Sequence, residues 1–98
     1  MYDAAWFARA DADGVHFSAA TRAKEARTVY LRGWQMCGNL KSGVGTAVSF
    51  LEADLRKRVA WPAPGLRRAA ERTDLHTAVE VLCPAFRSTA RAAESRGL

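Results

Sequence analysis

The 98 residues carry a formal charge of +5 at neutral pH, a pI near 9.9 and an apolar fraction of 49%. That size supports one hydrophobic core, so 1–98 is expected to be a single domain, and the apolar fraction lies in the ordinary globular range. No apolar run approaches the ~20 residues of a membrane span, and Met1-Tyr2-Asp3 lacks the basic and apolar regions of a secretory signal, so a cytoplasmic protein with no membrane partner is expected.

Residues 1–17 admit two readings. Asp3 can open a short helix carrying Tyr2, Ala5, Trp6 and Arg9. The preferred reading is a short N-terminal β-hairpin: Ala4–Ala10 as a strand, Asp11-Ala12-Asp13-Gly14 as the turn, and Val15-His16-Phe17 returning. Asp-Gly suits such a turn because glycine accepts a positive φ there.

Ser18 is placed to cap a helix over 18–38, its hydroxyl accepting an orphan amide proton of the first turn. Ala19, Ala23, Ala26, Tyr30, Gly33 and Cys37 repeat at helical spacing with Trp34 beside them, which predicts the buried face. Arg22, Lys24, Glu25, Arg27 and Arg32 fall off that stripe and are expected in solvent. Gly38-Asn39 is read as the helix end. After the loop Lys41-Ser42-Gly43-Val44-Gly45, Thr46 is a cap for a helix over 46–60. Val44, Val48, Phe50, Leu51, Leu55 and Val59 line up on or beside one face of it.

Pro62-Ala63-Pro64-Gly65 breaks the pattern. A short helix is expected over 66–72, then Thr73 caps a last helix over 74–95. There Leu75, Val79, Leu82, Phe86, Ala90 and Ala93 keep one helical phase through Pro84, which predicts one helix kinked at that proline. The fold class is therefore mainly α, with three to four helices. Cys37 and Cys83 both sit on apolar stripes and are read as buried free thiols of a reducing cytoplasm, a bridge between them being the alternative.

No pattern calls for catalysis, a metal or a cofactor. The glycines between Gly38 and Thr46 resemble a phosphate loop, yet Lys41-Ser42 precedes Gly43 and Gly45, the reverse of the required order. His16 and His76 lie outside metal spacing of either cysteine, and His76 has Glu80 one turn on as a surface partner. No serine or threonine sits in a nucleophile context.

Charge is the leading signal. Arginines number twelve against three lysines, and residues 41–98 hold ten basic and six acidic groups. Arg56, Lys57 and Arg58 form the densest cluster, with Glu52→Arg56 and Asp54→Arg58 as favourably oriented i,i+4 pairs. Arg67, Arg68 and Arg72 have only Glu71 nearby, and Arg87 and Arg91 share a face with Glu94 beyond. These eight basic residues are the candidate binding groups, toward nucleic acid, a nucleoprotein complex or an acidic protein surface.

The segment from about Ala4 to Trp34 contains Trp6-Phe7-Ala8-Arg9, Asp13-Gly14, then Phe17-Ser18-Ala19-Ala20-Thr21-Arg22-Ala23-Lys24-Glu25-Ala26-Arg27. It resembles small proteins of phages and mobile elements, including some of the anti-CRISPR type. The resemblance covers about a third of the chain and implies a stoichiometric inhibitor or accessory factor, with no functional residues carried across. The expected function is thus a non-enzymatic, small, basic binding or regulatory module docking on nucleic acid or a nucleoprotein. The alternatives are a phage-type inhibitor acting by protein contact and a homo-oligomeric structural subunit that buries Trp6 or Trp61 between copies.

Overall fold

The computed structural model describes residues 1–57 and 64–98, and every regular element among them is helical. In chain order these are α1 (Tyr2–Ala12), α2 (Ala19–Lys41), α3 (Val44–Lys57), a 3₁₀ turn (Pro64–Leu66), α4 (Arg67–Thr77), a π-helical turn (Ala78–Leu82), a second 3₁₀ turn (Pro84–Phe86) and α5 (Arg87–Gly97). No helix among the described residues is long and apolar enough to cross a membrane.

The hairpin expected over residues 1–17 is a helix. Tyr2, Trp6, Phe7 and Ala10 fall on one face of α1 and are buried, so a helical period buries more aromatic surface than an alternating one. The Asp13-Gly14 turn exists, but it ends that helix. Gly14 has φ +84°, its N–H donates to Asp11 O (3.1 Å), and the Val15 N–H donates to Ala10 O (2.8 Å). This is a Schellman cap, and it delivers Val15 into the core.

Ser18 caps α2 as expected, accepting the Thr21 N–H at 3.2 Å. The buried stripe differs from the expected one. Val29, Gly33, Met36, Cys37 and Leu40 face inward, while Ala19, Ala23, Tyr30 and Trp34 are exposed. An alanine-rich helix offers two apolar phases, and the one ending in Met36 and Leu40 meets the neighbouring helices. The helix also runs through Gly38-Asn39 to Lys41. Its end comes where Gly43 takes φ +110° and donates to Leu40 O at 3.0 Å. With the loop this short, α3 begins at Val44 rather than Thr46; Ala47, Leu51 and Asp54 are its buried residues. Val59 and the expected extension to residue 60 lie outside the described residues.

Thr73 caps nothing. It is buried inside α4, its hydroxyl 2.7 Å from Asp13 Oδ2 and 3.0 Å from Ala69 O, so the break expected between 66–72 and 74–95 is absent. The real interruption is at Cys83, with φ −138° and ψ 65°, because proline disfavours helical backbone in the residue before it. The Cys83 N–H donates five residues back to Ala78 O (2.9 Å), and the Phe86 N–H to Cys83 O (3.0 Å). The expected single kinked helix is thus α4 with its π turn, followed by a separate α5. The apolar phase still crosses the break: Leu75, Val79, Ala90 and Ala93 are buried in one core, with Leu82 and Phe86 packed against it.

That core joins α2, α3, α4 and α5; a second cluster holds Tyr2, Trp6, Phe7, Ala10, Val15 and Val29 beneath α1. A disulfide links Cys37 of α2 to Cys83, whose Cα atoms lie 6.0 Å apart. The free-thiol reading is overturned, and with it the argument for a reducing cytoplasm. Both cysteines are buried as expected; facing helices bring together two stripes that the sequence shows only separately.

Candidate anion-binding surface

The acidic residues explain which arginines are available. Seven of the ten carboxylates lie in ion pairs, Asp3, Asp11, Asp13, Asp54, Glu71, Asp74 and Glu80, and Glu94 is hydrogen-bonded to His76. Their lysine or arginine partners among the described residues are Arg9, Arg22 and Arg32, all from the first third of the chain. Arg9 reaches Asp13 and Glu80. Arg22 pairs with Asp11 and lies over the Phe7 ring, 5.7 Å from its centroid.

Arg32, expected in solvent, is the centre of a buried ion cluster. Its guanidinium pairs with Asp54, and lies 3.5 Å from Glu71 and 3.5 Å from Asp74. Glu71 and Asp74 are fully buried, and Trp6 Nε1 donates to Asp74 Oδ1 at 2.8 Å. The three carboxylates come close enough to one another to ligate a cation, but they already share the Arg32 guanidinium. Trp6, expected between subunits, is therefore interior; Trp61 lies outside the described residues.

These pairings remove counter-charge from the C-terminal part of the chain. Of its six acids, Asp54, Glu71, Asp74 and Glu80 are taken by Arg32 and Arg9, while Glu94 keeps its charge and accepts a hydrogen bond from His76. Among the candidate residues, Arg56, Lys57, Arg67, Arg68, Arg72, Arg87 and Arg91 make no ion pair in the described structure. Arg56, Lys57, Arg68, Arg87 and Arg91 are exposed, and Arg67 and Arg72 partly buried. The expected Glu52→Arg56 pair is not formed, since both side chains stay in solvent. Arg58 lies outside the described residues.

Two concave sites hold five of these six arginines, all but Arg72. Arg56, Arg67 and Arg68 converge with Leu55 and Gly65 on a cavity of about 430 Å³ between the end of α3 and the start of α4. Arg67 Nε is buried without a hydrogen-bond partner. Arg87 and Arg91 instead line a groove of about 240 Å³ with His76, Val79, Glu80, Ala90 and Glu94. A scan against protein-family models and searches of curated proteins and solved structures give no match to this chain.

The groove is a mixed-charge site. An Arg9 N–H donates to His76 Nδ1, so the opposite nitrogen, Nε2, donates to Glu94. The expected surface pair of His76 with Glu80 is replaced, because Arg9 of α1 holds both. His16 pairs with Asp11 at 2.9 Å. That hydrogen bond lowers the Asp11 pKa against the opposing cost of desolvation, with the Arg22 charge helping.

One surface was not foreseen. Tyr30, Leu31 and Trp34 of α2 are exposed, the two aromatics edge to face with centroids 6.4 Å apart. The exposed residues of that helix include Lys24, Arg27 and Lys41 and no acid. Treating Val29, Met36 and Leu40 as the inward phase would have found this patch.

Proposed function

We propose that this domain is a non-enzymatic basic binding module that docks on nucleic acid or a nucleoprotein through its C-terminal arginines. One observation carries the reading: among the described residues the ion pairs use the N-terminal Arg9, Arg22 and Arg32, and Arg56, Lys57, Arg67, Arg68, Arg72, Arg87 and Arg91 form none. Uncompensated guanidinium groups attract phosphate and release counterions on binding. Binding without catalysis is supported by His76, whose two ring nitrogens are both committed to Arg9 and Glu94.

The test is fluorescence anisotropy with single- and double-stranded DNA and RNA over a salt series. Log affinity should fall linearly with log salt, and the combined variant Arg67→Glu, Arg68→Glu, Arg87→Glu and Arg91→Glu should abolish binding. Failure to bind any of these nucleic acids at low salt defeats the reading.

A second reading, a stoichiometric inhibitor or accessory factor of the phage type, is favoured by the Tyr30–Leu31–Trp34 patch. Exposed aromatics beside arginine are the composition of binding hot spots, and an acid-free rim suits an acidic protein surface. Affinity capture that recovers one defined complex, lost in Trp34→Ala, would support it. Self-association through the same face brings Lys24, Arg27 and Lys41 against their own copies, so light scattering is expected to return a monomer. For location, the Cys37–Cys83 bridge speaks for an oxidising compartment, where disulfides persist.

A further inference from the structure

Resting on the nucleic-acid reading, we propose that the cavity between the end of α3 and the start of α4 is a seat for a single phosphate group. Arg56, Arg67 and Arg68 line it together with Leu55 and Gly65. The described lining contains no carboxylate. Three like charges around one cavity repel one another, and an anion placed between them relieves that repulsion. Planar guanidinium groups match phosphate oxygens two at a time.

The other concave site makes the contrast. An anion beside Arg87 and Arg91 also meets Glu80 and Glu94, so phosphate selectivity belongs to the first cavity. Its volume, about 430 Å³, exceeds that of orthophosphate and leaves room for the group esterified to it. The phosphate can therefore come from a nucleic-acid strand or terminus, or from a small phosphorylated molecule.

The experiment has three arms. Thermal unfolding is followed in sodium phosphate against sodium chloride at equal ionic strength; saturable stabilisation by phosphate is expected, because a ligand that binds only the folded state raises the midpoint. Binding is then compared for one oligonucleotide with and without a 5′-phosphate, and for a nucleoside monophosphate. Arg68→Gln, an exposed substitution checked for folding by circular dichroism, and Arg67→Gln should remove the phosphate stabilisation, whereas Arg87→Gln should keep it. A tenfold or greater preference for the 5′-phosphorylated strand assigns the seat to a terminus. Equal binding of both strands, weakened at least fivefold by Arg68→Gln, assigns it to an internal phosphate. Phosphate and nucleotide binding with no oligonucleotide binding keeps the seat and defeats the nucleic-acid reading. Phosphate no better than chloride, or stabilisation retained in both Arg67→Gln and Arg68→Gln, overturns the seat even where oligonucleotides bind.

Discussion

The Arg32 guanidinium lies 3.5 Å from Glu71, a carboxylate with no exposed surface, thirty-nine residues further along the chain. This contact ties α2 to α4, and through Asp54 the same guanidinium reaches α3. Removing one partner of a buried ion pair leaves the other charge desolvated, at a cost of about 3–5 kcal/mol. Arg32 keeps 21% of its side chain exposed, so Arg32→Met is expected to lose about 3 kcal/mol, the low end of that range. Arg27→Met is the control on the same helix, exposed and without an ion pair, and should change stability by less than about 0.5 kcal/mol. Urea unfolding of both decides it: equal midpoints would show that the buried cluster contributes no stability.

Two glycines of α2 should respond oppositely to alanine. At Gly33 an added Cβ would lie 2.6 Å from Tyr2 Oη, 2.8 Å from Tyr2 Cζ and 2.9 Å from Leu82 Cδ1. The ring and the leucine come from elements packed on either core cluster, so Gly33→Ala is expected to cost about 1–3 kcal/mol through overpacking. At Gly38 an added Cβ meets nothing within 4 Å, so Gly38→Ala should stabilise the helix by about 0.5–1 kcal/mol. Thermal midpoints moving in the same direction would refute the close approach of α1 to α2 at Gly33.

How far the sequence shows this molecule depends on the range of the interactions involved. Capping by Ser18, the mainly helical class and the apolar phase from Leu75 to Ala93 are local patterns, and all three are present. Asp13-Gly14 is a turn in either reading; whether it joins strands or ends a helix depends on Trp6 and Phe7 finding a core, which no local pattern contains. Arg32 is the clearest non-local case. No acid lies within four residues of it in the sequence, and its role follows from acids supplied by α3 and α4. The same transfer of counter-charge reaches the C-terminal arginines: Glu71, the one acid expected near Arg67, Arg68 and Arg72, is held by Arg32.

Tyr2 gives a pH dependence at the alkaline limb. Burial pushes its phenol pKa above the ordinary range, with the charge of Asp74 adding to the shift. The hydroxyl is buried without a hydrogen-bond partner. A phenol whose pKa is raised by folding contributes its stability below the unfolded value, about 10, and loses it as pH rises beyond. Tyr2→Phe removes the desolvated hydroxyl, so at pH 7 it should be neutral or slightly stabilising. Above about pH 10 the wild type should lose stability while the variant does not lose that share. Chemical denaturation at pH 7 and pH 11 measures both; a variant that weakens in parallel with the wild type would place Tyr2 outside the core.

The Cys37–Cys83 bridge closes a loop across a sequence separation of 46. Loop-closure entropy for that length corresponds to about 4 kcal/mol, and measured bridges commonly give about 2–4 kcal/mol. Cys83 is also the residue where helical backbone is interrupted before Pro84, so the bridge fixes to α2 the point at which the chain turns into α5. Reduction should therefore lower the urea midpoint by an amount equivalent to about 2–4 kcal/mol. Because α5 packs against α3 below that junction, hydrogen exchange in Arg87–Gly97 should rise more than in α1. Denatured, unreduced protein should show no titratable thiol, in keeping with the pairing of both cysteines. Two thiols reacting under those conditions, together with a midpoint indifferent to reductant, would remove the bridge and restore the argument for a reducing compartment.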